Sequence, residues 1–157
     1  MALKVRSLSL NLPFGLGGVA LDVSRADAAA AWALFIEFAT RVTAYPLQPG
    51  GSVQEALESL YSLFATTRTV LREAGPDVGR GPNALGPLAI TVLNEGVRPF
   101  LVAWRTELRS SGLDGTAELN AERRAAFDLD LDQLRRSLEQ YVDALGRIAG
   151  VHSESRR

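Results

Sequence analysis

The chain has 157 residues, a formal net charge of −1, an apolar fraction of 46% and no cysteine. This length predicts one domain that buries a core without disulfides or a structural metal, and the near-neutral charge predicts no general attraction to nucleic acid or an anionic membrane. The lack of cysteine excludes thiolate metal sites and cysteine nucleophiles, and the single histidine, His152, lies in the C-terminal stretch VHSESRR, outside the predicted folded region.

Two alternating runs near the N-terminus predict a β-hairpin over residues 1–23. Leu8, Leu10 and Leu12 alternate with polar residues, and the alternation resumes at Val19 after the glycine-rich stretch PFGLGG. Apolar residues at every second position, on both sides of a glycine-rich turn, indicate paired strands.

Capping residues and prolines predict the first two helices. Ser24-Arg25-Ala26-Asp27 resembles a capping arrangement and opens a helix over 24–44, which Tyr45-Pro46 ends. Ser52-Val53-Gln54-Glu55 is a capping box that opens a helix over 53–74, and Gly75-Pro76 ends it. We expect Trp32 in the first helix to anchor the core, together with Trp104 further along the chain.

A glycine- and proline-rich stretch, 75–87, is expected to be the most flexible loop, and a third helix over 84–110 follows it. Pro99 lies inside this helix and should kink it. The helix is expected to turn one apolar side inward, formed by Ile90, Leu93, Val97, Leu101, Trp104 and Leu108.

The fourth helix, over 119–149, carries the strongest pattern in the sequence. Its apolar residues repeat with alternating spacings of four and three, as in a coiled coil. The fold class is therefore mainly α: a four-helix antiparallel bundle preceded by an N-terminal β-hairpin, forming one domain over 1–150 with a disordered tail over 151–157. The seam of the fourth helix consists of Phe127, Leu131, Leu134, Leu138, Tyr141, Leu145 and Ile148.

Two motifs resemble ligand sites but lack a required part. The acidic run Asp128–Asp132 resembles the start of a calcium loop, yet Gln133 stands where the sharp turn needs glycine, so an acidic first turn of a helix is favoured. The GLGG stretch follows a strand, as phosphate loops do, but no helix N-terminus comes after it. We therefore predict no metal and no cofactor.

The segment Phe-Ala-Thr followed by arginine occurs in both of the first two helices. At about 100° per residue, Arg41 falls outside the apolar arc of the first helix, in a favourable i,i+4 pair with Glu37. Arg68 falls about 40° from Phe64, inside the expected apolar stripe of the second helix. Arg41 is therefore predicted at the surface and Arg68 in the interior.

An arginine in an apolar stripe needs a partner, because burying an unpaired guanidinium is very costly. Two interpretations of Arg68 stay open. It is satisfied structurally by backbone carbonyls, by a flanking carboxylate such as Asp128, or by extending past Tyr61 to solvent; alternatively it receives an anion or a partner's carboxylate.

Three segments together resemble a family of small bacterial helical proteins common in actinomycetes. Its members carry Trp-x-Leu-aromatic-x-Glu-x-x-Thr-Arg, then Ser-Leu-Tyr-x-Leu-Phe-x-x-Thr-Arg, then Val-Leu-Asn…Arg-Pro-Phe-Leu. The resemblance covers residues 30–105 and brings no activity with it. It implies that Glu37, Arg41, Arg68, Asn94 and Arg98 are shared polar positions. The matching residues here are Trp32, Leu34, Phe35, Glu37, Thr40 and Arg41; Ser59, Leu60, Tyr61, Leu63, Phe64, Thr67 and Arg68; and Val92, Leu93, Asn94, Arg98, Pro99, Phe100 and Leu101.

The leading functional hypothesis is a non-enzymatic, cytoplasmic interaction module that contacts another protein or a second copy of itself. The seam of the fourth helix and the free edge of the hairpin are the surfaces that motivate it. The alternative is a bundle that binds a small molecule or anion through Arg68 with Arg41 or Arg98, in a pocket opened at Pro99. A third hypothesis is a subunit of a bacterial defence or signalling cassette. No nucleic acid, membrane or metal partner is expected.

Overall fold

In the part of the chain that the structure describes, a β-hairpin and four helices make up the fold, which confirms the predicted mainly α class. The computed structural model describes residues 6–43, 47–48, 50–110 and 119–151. A π-helical segment joins the third and fourth α-helices into one continuous helix, and a 3-10 turn precedes it. The elements are β1 (Arg6–Leu12), β2 (Gly17–Val23), α1 (Arg25–Val42), α2 (Val53–Ala74), the 3-10 turn (Pro76–Gly79), α3 (Leu85–Thr91), the π segment (Val92–Val97), α4 (Arg98–Ser110) and α5 (Ala121–Ala149).

The hairpin packs on the helices of its own chain. β1 and β2 pair antiparallel, from Leu12 opposite Gly17 to Arg6 opposite Val23. The side chains that alternate inward, among them Leu10 and Leu21, belong to the common hydrophobic core. The apolar alternation seen in the sequence is therefore the face that covers the bundle.

The tip of the hairpin rests on the π segment. Phe14 has a left-handed backbone with φ of 61°, a conformation that few residues other than glycine adopt. A Cβ added to Gly96 would lie 2.5 Å from the ring of Phe14. Glycine at position 96 thus allows the aromatic ring to lie directly against the helix backbone.

Asp27 links two helix N-termini. Its Oδ2 accepts a hydrogen bond from the Ser24 backbone N–H (3.0 Å), and its backbone N–H donates to Ser24 Oγ (3.1 Å), so the predicted capping arrangement is present. Its Oδ1 accepts from the backbone N–H of Leu85, the first residue of α3 (3.2 Å). Asp27 is only 3% exposed, and these bonds satisfy its buried carboxylate.

The residues on either side of α2 differ from the sequence prediction in two ways. Ser52 Oγ accepts from the Glu55 backbone N–H (3.2 Å), which is one half of the expected capping box. The stretch 75–87, expected as a flexible loop, contains the 3-10 turn and its buried Val78. A Cβ on Gly86 would lie 2.7 Å from the Val78 carbonyl oxygen, so this turn packs tightly on α3.

The seam of α5 is filled by other helices of the same chain. All seven predicted seam residues are buried. Tyr141 packs edge-on against Phe38 of α1 (5.1 Å between ring centroids), and Phe127 packs edge-on against Trp104 of α4 (5.1 Å). Trp104 is the core anchor that the sequence predicted.

The acidic run of α5 lies inside the helix and not in its first turn, because α5 begins at Ala121. Asp128 pairs with Arg124 (3.1 Å), and Asp130 Oδ2 accepts from Trp104 Nε1–H (3.1 Å). Asp132 pairs with Arg135 (2.8 Å). These three carboxylates therefore have partners within the fold. The partner of Asp128 is Arg124, and not Arg68.

Two apolar residues expected in the core are exposed. Trp32 is 46% exposed, because the buried stripe of α1 runs through Leu34 and Phe38 instead. Ile90 is 52% exposed. The π segment closes its turn with one extra residue, which rotates α3 by roughly 100° relative to α4. Leu88 and Ala89 therefore take the inward positions that an uninterrupted α-helix would give to Ile90.

Some sequence predictions fall outside the described residues. These are the hairpin's first five residues, the end of the first helix at 44 with Tyr45-Pro46, and the tail over 152–157 with His152. Across the ranges that the structure describes, none of the helices is long and apolar enough to cross a membrane.

Candidate functional site

A groove lined by arginines lies between α2 and the helix formed by α3, the π segment and α4. Its volume is about 360 Å³. Four apolar and five polar side chains line this arginine groove, and none of the described lining residues is acidic. They are Phe64, Thr67, Arg68, Leu71 and Arg72 from α2, and Ile90, Leu93, Asn94 and Arg98 from the opposite helix.

Helical spacing brings the lining residues together. On α2 they recur at intervals of three and four, which places them on one side of the helix. On the opposite side Leu93 and Asn94 belong to the π segment, while Arg98 is the first residue of α4. The π segment therefore supplies part of the groove wall.

Arg98 is held in position by two neighbours. Its Nε and Nη2 donate to Asn94 Oδ1 at 3.3 and 3.1 Å. Its guanidinium carbon lies 4.8 Å from the centroid of the Phe64 ring, within cation–π distance. These contacts fix the plane of the guanidinium while leaving Nη1 and one Nη2 hydrogen for another acceptor.

Asn94 and Thr67 add two further polar groups. Asn94 Oδ1 accepts from Arg98, and the two hydrogens on Asn94 Nδ2 make no hydrogen bond to the described residues. Thr67 is 2% exposed, and its Oγ1 has no hydrogen-bond partner among them. A buried hydroxyl without a partner is uncommon in folded proteins.

Arg68 is exposed, which contradicts its predicted interior position. The buried stripe of α2 runs through Leu60, Leu63 and Thr67, one residue out of phase with the predicted stripe through Phe64. The predicted stripe was centred on Phe64 because Phe64 and Tyr61 were expected to be buried in the core. Arginines cover these two rings instead: Arg98 lies over Phe64, and Arg105 lies over Tyr61. Thr67, not Arg68, is the buried polar residue of α2.

Arg41 and Glu37 lie outside the arginine groove. Arg41 Nη2 pairs with Glu37 Oε2 at 3.0 Å, the i,i+4 pair that the sequence predicted. Arg41 Nη1 also donates to Thr66 Oγ1 of α2 at 3.2 Å. The side chain of Arg41 is 28% exposed, so it is half-buried and not the fully solvated surface residue that we expected.

The structure thus unites Arg68, Asn94 and Arg98 and separates them from the other two candidates. Sequence reasoning missed Arg72 as a lining residue and treated Thr67 only as a neighbour of Arg68. The spacing of four between Arg68 and Arg72 could have indicated a shared face. No sequence signal marks the unpartnered hydroxyl, because hydrogen bonding of a helical threonine depends on its surroundings.

A second groove lies between the hairpin and the start of α3. Its volume is about 320 Å³, and its lining is mostly apolar, including Leu16, Val19, Pro87 and Leu88. Within the described ranges, no three histidine, aspartate or glutamate side chains converge as a metal site would require.

Comparisons with known proteins identified no relative of this chain. No family model, no curated protein and no solved structure matches the chain.

Proposed function

We propose that this protein binds a small organic anion in the arginine groove. The observation that carries the proposal is the convergence of Arg68, Arg98 and Asn94 on one cavity. Thr67 also lines this cavity, and its buried hydroxyl has no hydrogen-bond partner among the described residues. Of the two arginine pairs considered from the sequence, Arg68 with Arg98 is the one supported, since Arg41 pairs with Glu37 elsewhere.

Charge complementarity supports an anionic ligand. The chain as a whole carries a net charge of −1, yet three arginines and no described acidic residue line this groove. Among the described residues, the six arginines that pair with carboxylates all lie elsewhere: Arg41, Arg80, Arg123, Arg124, Arg135 and Arg136. Guanidinium groups suit carboxylate and phosphate oxygens especially well, because they present several donors in one plane.

Binding without catalysis is the role that the lining favours. The described lining residues include no carboxylate or imidazole that could serve as a general base. Arginine, asparagine and threonine can hold and orient an anion, but at neutral pH arginine stays protonated and so cannot act as a general base.

Self-association remains as a second candidate. The α5 seam that motivated it is filled within the chain, and the inward face of the hairpin packs on its own bundle. The observation in its favour is an exposed apolar strip on α1, where Trp32 stacks on Phe35 and lies one turn from Ile36. Exposed aromatic and aliphatic side chains in one strip are typical of contact surfaces.

Native mass spectrometry tests both candidates in one experiment. The protein is incubated with the small-molecule fraction of a bacterial extract, desalted and measured beside Arg68→Met and the control Arg105→Met, which removes an arginine outside the groove. We expect an added mass of a few hundred daltons in the wild type and the control, but not in Arg68→Met. A dimer without added mass would instead support self-association, and a bare monomer would contradict both.

A further inference from the structure

We infer that the ligand is an amphipathic carboxylic acid, with one terminal carboxylate and a short hydrocarbon body. This inference rests on the proposed function and narrows it. The carboxylate would lie between Arg68 and Arg98, and the hydrocarbon would lie against Ile90, Leu71 and Leu93. Both parts of the assignment follow from the lining of the arginine groove.

The polar part of the groove can donate several hydrogen bonds to a ligand. Arg98 has five N–H hydrogens, and Asn94 Oδ1 takes one from Nε and one from Nη2. Three hydrogens remain, at the end of the guanidinium that carries the two Nη atoms. This end matches the two oxygens of a carboxylate. The Asn94 amide hydrogens and Arg68 add donors beside it.

The apolar part makes a bare inorganic anion a poor match. Leu71, Leu93, Phe64 and Ile90 line the groove together with the donors. Ile90 is 52% exposed, so its side chain has apolar surface that a ligand can cover. Each methylene group removed from water contributes about 0.8 kcal/mol, which corresponds to roughly a fourfold gain in affinity. A ligand with a hydrocarbon body therefore covers this apolar surface and gains affinity, whereas phosphate leaves the surface exposed to water.

The size of the groove limits the ligand. A volume of about 360 Å³ lies at the small end of the roughly 300–1,000 Å³ range of ligand pockets. A compact acid with a short chain or a single ring fits this volume. A dinucleotide or a long-chain lipid is too large for it.

The test compares four probes by isothermal titration calorimetry on the full chain. Octanoate supplies both the carboxylate and the hydrocarbon, acetate supplies the carboxylate alone, and inorganic phosphate supplies a different anion. Octylammonium supplies the same hydrocarbon with the opposite charge. We expect octanoate to bind at least tenfold more tightly than acetate or phosphate, and octylammonium not to bind.

Two pairs of variants separate the polar and apolar contributions. Arg98→Met should weaken octanoate binding roughly tenfold or more, because a charged hydrogen bond is lost. Arg105→Met is its matched control, since Arg105 also belongs to α4 and also stacks on an aromatic ring of α2, at 4.4 Å from the Tyr61 centroid. Ile90→Ser should weaken the binding of octanoate but not the binding of acetate. Its control is Val102→Ser, because Val102 is 56% exposed and lies outside the groove.

The outcomes distinguish the two levels of the proposal. If phosphate binds as tightly as octanoate and depends on Arg98, the anion site stands and the carboxylic acid assignment is overturned. If octanoate binds equally to the wild type and Arg98→Met, its binding does not use the groove and the inference fails. If no probe binds although native mass spectrometry finds an Arg68-dependent mass, the inference alone fails. If neither experiment detects a ligand, the proposed function fails as well.

Discussion

Two buried hydroxyl groups lack hydrogen-bond partners among the described residues, and their surroundings give them different meanings. Thr67 Oγ1 belongs to a residue that lines the arginine groove. Tyr141 lies in the core seam of α5, with its ring packed edge-on against Phe38. An unsatisfied buried hydroxyl costs stability wherever it lies. Thr67 borders a groove that a ligand could occupy, whereas Tyr141 lies among the packed side chains of the core.

Removing the Tyr141 hydroxyl should therefore stabilise the protein. Burial raises the pKa of the Tyr141 phenol, which shows how poorly this site solvates charge. Tyr141→Phe keeps the ring and its packing while it removes an unsatisfied group, so we expect the free energy of unfolding to rise by about 1 kcal/mol. Urea unfolding followed by circular dichroism measures the change. Tyr61→Phe, at an exposed tyrosine, should change it little. A loss of stability in Tyr141→Phe would mean that the hydroxyl is bonded in solution.

At the scale of the element, the π segment has two functions in the fold. Leu93 and Asn94 line the arginine groove, and Gly96 receives the ring of Phe14 from the hairpin tip. The hydrogen bond from the Arg98 backbone N–H to the Leu93 carbonyl closes this wider turn. Pro99 follows at once and has no N–H to offer the preceding turn.

Gly96→Ala should loosen the hairpin from the helix. The added methyl group would overlap the Phe14 ring at 2.5 Å, and overpacking of this kind costs about 1–3 kcal/mol. This exceeds the roughly 0.5–1 kcal/mol that alanine gains over glycine in a helix. We expect a lower free energy of unfolding in urea.

Two further variants test the cause of that loss. Phe14→Ala combined with Gly96→Ala should cost less than the separate effects predict, because the overlap is gone. Gly79→Ala is a control at a glycine where an added Cβ meets nothing within 4 Å. Equal losses at Gly96 and Gly79 would contradict the contact.

Local patterns in the sequence predicted the elements well. Alternation gave the hairpin, capping residues gave the start of α1, and the four-three spacing gave the buried side of α5. These signals work because each depends on neighbours close in the chain. The π segment was not predicted, since Pro99 indicates an irregular helix but not which hydrogen bonds replace the regular ones. Ile90 was consequently assigned to the wrong side.

The candidate site was predicted only in part. Arg68, Asn94 and Arg98 were selected from the sequence, but Arg68 was expected to be buried. Its true position depends on how the arginines of α4 cover Phe64 and Tyr61. Such cross-helix stacking involves residues more than thirty positions apart, so the periodicity within α2 could not reveal it. The same holds for the separation of Arg41 from Arg98.

At the scale of the whole molecule, the near-neutral net charge conceals an uneven distribution of charged side chains. No described acidic residue lines the arginine groove, while acidic side chains elsewhere pair with arginines. Acidic side chains of α4 and α5 are engaged by arginines, as in the pair of Glu107 with Arg123, where Arg123 Nη2 donates to Glu107 Oε2 at 2.7 Å. The hydrogen bond from Arg123 is the main cause that lowers the pKa of Glu107 below its ordinary value of 4.5. The pKa of Asp132 is lowered in the same way, mainly by Arg135.

Stability should therefore fall in acid, and Glu107 should contribute to the fall. A pKa lowered by folding means that the stabilising contribution is present above pH 4.5 and is lost as the pH drops through the folded value. We expect Glu107→Gln to be less stable than the wild type at pH 7, with the difference shrinking as the pH falls below about 4. Thermal unfolding across this pH series measures it. A difference that stays constant with pH would exclude the ionised pair as its source.

The wider turn at Val92–Val97 also has a consequence for how the groove could arise in evolution. A π turn differs from an α turn by a single residue, so the insertion or deletion of one codon converts one into the other. Deleting Asn94 would rotate α3 by roughly 100° relative to α4 and turn Ile90 towards the core. The lining of the arginine groove and the helix surface that contacts Phe14 would then change in a single mutational step. Under the proposed function, related chains that differ in length by one residue here should differ in what they bind.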